Sequence, residues 1–517
     1  MEPPNKKIRT DSASPEPESR LESSLSTLPE LVTLHRVVTP PERPSSSGQA
    51  AYTDPEAKKE SNGPKASQTS SKAGSIPPKI IDSPIQLTHI RDLPTSKGYN
   101  VDTVRLRDIL GDPMIRECWQ FNYLIDVDFL MSQFDEDTRG LVKVRVVHGS
   151  WQRESANKIR IEEACARYPN VEPIVAYMPE AFGTHHSKMM VLLRHDDLAQ
   201  VVIHTANMIP MDWTNMTQAV WRSPLLPQNP SSVPETDSPI GSGSRFKRDL
   251  LAYLKAYGPS KTGPLVQQLE TYDFEAVRAA LVASVPSKQH ASDSNSEEGT
   301  LWGWLALKDL MSRIPIKNTN QDKKRAPKSL TSSSSAAQQK QLAYMRPYLC
   351  QWAGDGPTSG TYIDLSGDEP PKWEAGRARA APHIKTYIRF RDGMESMDWA
   401  MVSSANLSTQ AWGAGVNSAG EVRICSWEIG VVVWPGLFGD CADEGGEAVM
   451  VPTFKKDRPS MPSETEEKEK GEGTASVVVG FRMPYDLPLT RYGATDEPWC
   501  ATASHELPDW RGQSWIV

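Results

Sequence analysis

The hydrophobic pattern divides the chain near residue 85. Upstream, residues 1–84 are rich in Pro, Ser, Glu and Lys and poor in large apolar side chains. Such a segment buries too little surface to offset the entropy lost on ordering, so a disordered tail is expected there. Downstream, short apolar runs alternate with helix-like stretches. Val104 to Leu110 carries a short helical pattern, and Asn157 to Arg167 a charged one. Trp119 to Ile125, Leu141 to His148, Val171 to Met178 and Ala280 to Pro286 read as strands. Gly258-Pro259 to Gly263-Pro264 reads as a break followed by helix, and Phe274 to Ala280 as helix. The alternation predicts an α/β sandwich with a mixed sheet. A chain of 517 residues exceeds one ordinary core, so two domains are expected. The division falls near residue 270, before the strand at Ala280 begins a second copy of the fold. Residues 318–341 and 454–474 lack periodicity, the latter with a Glu/Lys run, and are expected to be disordered insertions.

One polar formula occurs twice in this pattern. His186-Ser187-Lys188 opens an apolar run to Leu193, and Asn207 closes the run that begins at Val201. His383-Ile384-Lys385 opens a run to Phe390, and Asn406 closes the run that begins at Met401. Residues two apart on a strand share a face, so each His points with its Lys, and each Asn can join them from a neighbouring strand. A lone His-x-Lys is common by chance, and a single strand histidine is more often structural than reactive. Repetition of the whole set at matched spacing is what marks a site. Two half-sites face to face offer two imidazoles, two ammonium groups and two amides. That set suits an anionic phosphodiester attacked by one imidazole while the other protonates the leaving group. Lys188 and Lys385 neutralise non-bridging oxygens, and the amides of Asn207 and Asn406 donate to them. One such preorganised donor contributes ~3 to 4 kcal/mol. With this positive field no divalent ion is required, and a metal-independent enzyme without a cofactor is expected. His185 falls on the opposite face from His186 and reads as structural.

These residues resemble the phospholipase D superfamily, whose signature is His-x-Lys, four residues, then Asp, present twice. Here Leu193 and Phe390 stand at the two Asp positions. Loss of both acids with an Asn downstream of each dyad resembles the tyrosyl-DNA phosphodiesterase family. Ala181 to Met190 is similar to that family's first motif, Ser403 to Ser408 with Ala411-Trp412-Gly413 to its second, and Ser426 to Gly430 to the segment that supplies an acidic partner. The resemblance runs from about residue 85 to the C-terminus. It implies two similar α-β-α sandwich domains with mixed sheets, residues 85–270 and 271–517, and an active site at their interface. It implies a DNA repair enzyme that removes a topoisomerase I-derived tyrosyl peptide, and other adducts, from single- and double-stranded DNA 3′ ends. His186 is then the nucleophile that forms a phosphohistidine. His383 protonates the departing tyrosine and later deprotonates the water that frees a 3′-phosphate. Gln218 and Glu428 match the positions that hydrogen-bond the two histidines, in either pairing. Phe182 is read as stacking on a base, with a core phenylalanine as the alternative. Ser284-Val285-Pro286-Ser287 and Ser408 match positions touching the DNA backbone. Trp412 and Trp427 read as packing residues. A phospholipase or general nuclease of the superfamily would be expected to keep the two acids, and an inactive scaffold would have no need of both intact dyads.

Composition narrows the setting. The formal charge of −8 speaks weakly against non-specific nucleic-acid binding but does not locate a basic groove. Six scattered cysteines without Cys-x-x-Cys spacing read as reduced intracellular thiols. No apolar run reaches the ~18 residues of a membrane span, and the N-terminus lacks a secretory core. Lys6-Lys7-Ile8-Arg9 fits a short nuclear-import signal, and equally a solvated tail. A monomeric nuclear enzyme is expected, acting on DNA and not at a membrane.

Overall fold

The alternating runs build two mixed β-sheets. The computed structural model describes residues 78–229, 238–293, 299–317, 348–352, 373–439, 447–460 and 477–492, with isolated residues between 504 and 516. The chain opens with β1 (Lys79–Ile81), β2 (Ile85–Leu87), α1 (Leu106–Leu110), β3 (Ile115–Phe121), α2 (Val127–Gln133), β4 (Lys143–His148), α3 (Ala156–Cys165) and β5 (Val171–Val175). It continues through β6 (Met189–Arg194), β7 (Leu198–His204), α4 (Pro210–Thr214), β8 (Met216–Thr217), β9 (Ala219–Arg222) and β10 (Leu226–Pro227). Two helices follow, α5 (Gly243–Lys255) and α6 (Pro259–Glu270). The second half comprises β11 (Ala280–Ser284), β12 (Ser287–His290), α7 (Gly303–Arg313), β13 (Ala381–Pro382), β14 (Thr386–Phe390) and β15 (Met397–Ser403). It closes with α8 (Thr409–Trp412), β16 (Glu421–Ile424), β17 (Glu428–Val433), β18 (Ala448–Thr453) and β19 (Val477–Arg482).

The first sheet runs β2-β9-β7-β6-β3-β4-β5, with β10 beside β7. Strands β3, β4 and β5 are parallel neighbours. The second sheet runs β1-β19-β18-β15-β17-β11, with β14 beside β15. Both contain the same path. An antiparallel hairpin, β6–β7 or β14–β15, is followed by a third strand, β9 or β17, antiparallel to its second member. Strands β6 and β7 have buried side chains on both faces, which is why they read as near-continuous apolar runs.

The expected strands at Trp119, Leu141, Val171 and Ala280 and the helices over 104–110, 157–167 and after Gly258 are present, within a few residues at each end. Helix α5 escaped the sequence reading, although Phe246, Leu250, Tyr253, Leu254 and Tyr257 recur at helical spacing. These residues share one core with Met189, Val191 and Leu193 of β6 and with Ala283, Ile429 and Val431 of the second sheet. The expected helix over Phe274–Ala280 is absent. The Asp273 carboxylate accepts from the Glu275 N–H, and Arg278 donates to the carbonyls of Glu275 and Val277, so that segment turns and then enters β11.

The boundaries also shift. Order begins before residue 84, because β1 pairs in parallel with β19 of the second sheet while β2 pairs with β9 of the first. Three residues, Asp82 to Pro84, therefore cross between sheets, and the N-terminal segment does not belong to one domain. An apolar triplet beside a Ser/Pro-rich stretch gives no periodic signal, so only backbone pairing reveals it. Residues 454–460 of the second expected insertion are built in: Phe454 stacks on Trp373 at 6.1 Å, and Arg482 donates to Asp457 at 2.9 Å. Residues 318–341 and 461–474 lie outside the described residues, as does nearly all of the tail. Cys118, Cys165, Cys350 and Cys425 are free thiols; Cys441 and Cys500 lie outside the described residues. No described helix is long and apolar enough to cross a membrane.

Trp427 joins the halves: it is buried, stacks on Tyr257 of the first half at 3.8 Å between ring centres, and donates from Nε1 to the Tyr177 carbonyl at 2.9 Å. Trp427→Ala should lower the unfolding free energy by ~3 to 5 kcal/mol in urea titrations. A loss below about 1 kcal/mol would mean that the halves do not depend on this contact.

Candidate active site

Both dyads precede a strand and are laid against the opposite half by backbone hydrogen bonds. The Trp427 N–H donates to the Thr184 carbonyl at 2.9 Å and the His186 N–H to the Trp427 carbonyl at 3.0 Å. Gly183 permits this approach, since a Cβ there would sit 2.1 Å from the Cys425 carbonyl oxygen. In the mirror arrangement β13 pairs in parallel with β8, and the N–H groups of His383 and Ile384 both donate to the Thr217 carbonyl at 3.1 Å. Each pairing brings a histidine beside the residue that follows its partner: Glu428 after Trp427, Gln218 after Thr217.

The side chains meet accordingly. His186 Nδ1 donates to Glu428 Oε2 at 3.0 Å. His383 Nδ1 lies 3.0 Å from Gln218 Nε2 and 3.1 Å from Asp212 Oδ2. The residue two before each asparagine supports these holders. The Ser404 hydroxyl donates to Glu428, and the Thr205 hydroxyl donates to Gln218 Oε1 at 2.7 Å. The same two hydroxyls accept from the N–H of Ile429 and of Ala219, each at 3.0 Å. Gln218 and Glu428 thus occupy equivalent places, and the sequence left open which histidine each one holds: Glu428 holds His186, and Gln218 faces His383.

One site residue escaped the sequence. On the Gln218 side the carboxylate comes from Asp212 in α4. Its Oδ2 also accepts from Gln218 Nε2 at 3.1 Å and from the Asn207 N–H at 2.6 Å. The signal was an acid five residues after the first asparagine, with no counterpart after the second to draw attention to it. With Nδ1–H directed at a carboxylate, each histidine leaves Nε2 free for chemistry.

Charge is closely balanced. Lys188 is fully buried and donates to the His186 carbonyl at 3.1 Å, and half-buried Lys385 donates to the His383 carbonyl at 2.6 Å. Burial lowers the Lys188 ammonium to about 7, with Lys385 adding to the fall, and lowers Lys385 to about 8. Burial also lowers His186, helped by Lys188 and opposed by Glu428. His383 is lowered by burial and by the two lysines, against Asp212. For Glu428 burial acts upward, but His186, Lys188 and the Ser404 hydroxyl hold the carboxyl below its ordinary value. The two ammonium groups disfavour one another as well as being disfavoured by burial, and the negative charge of a phosphodiester relieves both effects.

A family model described as tyrosyl-DNA phosphodiesterase matches residues 84–337 and 326–493. The chain belongs to the tyrosyl-DNA phosphodiesterase family. It is 31% identical to a probable tyrosyl-DNA phosphodiesterase of Schizosaccharomyces pombe over 84% of this chain and 96% of that one. It is 27% identical to tyrosyl-DNA phosphodiesterase 1 of Drosophila melanogaster, over 77% of this chain and 70% of the relative. The crystal structure of the yeast tyrosyl-DNA phosphodiesterase shares the fold, with a TM-score of 0.50 at 18% identity over 80% of this chain and 98% of that one. Membership makes the chain a phosphodiester hydrolase that acts on tyrosyl-DNA.

Among the remaining residues matched to the family, Phe182 is 85% exposed and is no core phenylalanine. The residues of the DNA-backbone set differ in exposure. Ser284 and Val285 are buried, because β11 pairs with β17 and directs Val285 into the shared core. Their side chains do not reach the surface. Pro286 and Ser287 are half-buried, and the Ser408 hydroxyl caps α8 by accepting from the Ala411 N–H at 3.2 Å. Asn406 is exposed, whereas Asn207 is buried. His185 is buried between the Asn122 carbonyl at 3.0 Å and the Tyr257 hydroxyl at 2.9 Å, a structural position. Trp412 and Trp427 are packed in cores.

The pH dependence follows from these shifts. A nucleophilic imidazole must be neutral, so the lowered pKa of His186 would extend activity to the acid side. The lysines and the proton-giving His383 must be charged, and burial lowers all three, so kcat/KM should already be declining on the alkaline side at or below about 7 to 8. Bound anion pulls both lysines upward, so the alkaline limb of kcat should lie higher than that of kcat/KM. A kcat/KM limb at the ordinary lysine value, about 10, would contradict this electrostatic account.

Proposed function

We propose that this enzyme hydrolyses the 3′-phosphotyrosyl bond between DNA and a peptide of stalled topoisomerase I through a phosphohistidine, as a DNA repair reaction. The observation that carries the reading is the pair of imidazoles, each with Nδ1 at a carboxylate from the opposite half. His186 Nε2 attacks phosphorus, the N–P bond forms, and the P–O bond to tyrosine breaks. His383, as an imidazolium stabilised by Asp212, gives its Nε2 proton to the phenolate. It then takes a proton from water as the water oxygen attacks phosphorus and the N–P bond breaks. DNA leaves with a 3′-phosphate, and His186 is restored. Two ammonium groups and the asparagine amides stabilise the extra charge in both transition states, so the chemistry runs without a metal or another cofactor.

Recognition by cations and amides addresses the phosphate and no particular leaving group or base. That supports action on single- and double-stranded ends and on 3′ adducts besides tyrosine. One chain supplies both half-sites, which supports a monomer as the working unit.

Each variant is incubated with labelled 3′-phosphotyrosyl DNA in excess chelator and resolved on denaturing gels. Wild type should turn over fully. His186→Ala should form no adduct and lose cleavage. His383→Ala should accumulate a protein–DNA adduct, because a tyrosine phenol leaves with less help than phosphohistidine hydrolysis requires. An adduct in the His186 variant alone would reverse the roles, and activity restored only by added magnesium or zinc would refute the mechanism.

We further propose a nuclear location, directed by Lys6, Lys7 and Arg9. A fluorescent reporter fused to residues 1–20 should collect in nuclei and disperse when the three are changed to Ala. Equal distribution of both fusions would refute the signal.

A further inference from the structure

The parallel neighbours β3, β4 and β5 each display an exposed aromatic two or three residues past their last strand position. These are Tyr123, Trp151 and Tyr177, with exposures of 41%, 52% and 62%. Adjacent strands lie ~4.8 Å apart, so the three loops that carry these rings follow one another across the end of the first sheet. The row starts at the nucleophile: the Tyr123 ring is 5.5 Å from that of His186. Its outer members sit on anchored turns. Gly149 abuts His185, where a Cβ would lie 2.5 Å from the His185 Cβ. The Ser150 N–H donates to His148 Nδ1 at 3.2 Å, and Asn157 donates to Ser150 Oγ at 2.6 Å. The Tyr177 carbonyl is held by Trp427 Nε1 at 2.9 Å. Large rings held in solvent on fixed loops gain nothing for the fold, and their grouping beside a site marks a contact surface.

The rings select the occupant. Exposed Arg153 follows Trp151 by two residues and has no ion-pair partner among the described residues. The acid near Tyr177, Glu180, is neutralised by Arg423. Arg153 is accompanied by Glu154, likewise exposed and unpaired among the described residues, so it is the row of aromatic faces, more than net charge, that fits stacked bases, with the Arg153 guanidinium available to a phosphate between them. In-line attack places the leaving tyrosine opposite His186, on the His383 side. The row lies on the His186 half, away from the departing peptide.

We propose that Trp151 and Tyr177 form a stacking platform for single-stranded DNA upstream of the scissile linkage, lengthening the footprint beyond the terminal nucleotide. The inference rests on the tyrosyl-DNA reading above. Base–aromatic stacking is sequence-tolerant because every base has a π-face, so the platform adds affinity without sequence preference. It acts on binding alone.

The test uses the full chain and three substrates: thymidine 3′-(p-nitrophenyl phosphate), a 3′-phosphotyrosyl dinucleotide, and a 3′-phosphotyrosyl oligonucleotide of about ten residues. Trp151→Ala and Tyr177→Ala should each raise KM for the long substrate roughly tenfold. They should leave kcat, and both parameters for the thymidine ester, unchanged. Trp151→Phe and Tyr177→Phe should stay close to wild type, since an aromatic face is all the platform needs. An equal rise in KM on the thymidine ester, or no rise on the long substrate, overturns the proposal. So does a rise that follows the length of an attached peptide and not of the DNA, which would assign the row to the adduct. Wild type inactive on all three substrates would instead overturn the underlying function.

Discussion

An imidazole that serves as nucleophile or proton carrier inside a protein must have its other nitrogen held, or both tautomer and orientation drift. Here neither half of the molecule meets that need alone. The first half brings His186 to the site, but Glu428 of the second half fixes its Nδ1; the second half brings His383, but Asp212 and Gln218 of the first half stand at its Nδ1. The exchange depends on backbone contacts laid down beforehand, with Trp427 between Thr184 and His186 on one side and Thr217 against His383 and Ile384 on the other. A catalytic constellation split in this way exists only when the two sheets share one core, which the contact of Trp427 with Tyr257 illustrates.

The pseudo-symmetry is nearly complete at the backbone and broken at the chemistry. Equivalent strands, equivalent hydroxyls on Thr205 and Ser404, and equivalent lysine contacts to the histidine carbonyls recur in both halves. Yet one holder is a carboxylate and the other an amide, whose missing charge is supplied by Asp212. His186 faces an undivided carboxylate. His383 shares its acid with Gln218 and the Asn207 N–H. That asymmetry suits the proposed division between a nucleophilic ring and a proton-carrying one. The depressed lysines complete the picture, because their charge is costly until an anionic substrate arrives.

Much of this was legible in the chain. The dyads, the asparagines and the strands around them announce themselves because strand periodicity and polar interruptions are local. Asp212 was not legible, since its role is to balance charge across a half-site and no repeat unit carries it. Nor was the crossing of β1 into the second sheet, because three residues make no pattern and their partners lie some 400 positions away. Helix α5 carried a readable apolar stripe that the strand and helix signals around it overshadowed, while Phe274 to Ala279 had helical composition that Asp273 and Arg278 divert into a turn. Burial of Ser284 and Val285 is decided by register against β17, which spacing alone does not specify.

Each half of the molecule holds the other's histidine ring. NMR of protein carrying ¹⁵N-labelled histidine measures this directly, through downfield Nδ1–H protons bonded to carboxylates. The predicted result is one such resonance for His186 that disappears in Glu428→Gln and survives Asp212→Asn, and one for His383 that does the reverse. Resonances indifferent to both substitutions, or a His186 resonance lost on replacing Asp212 alone, would contradict it.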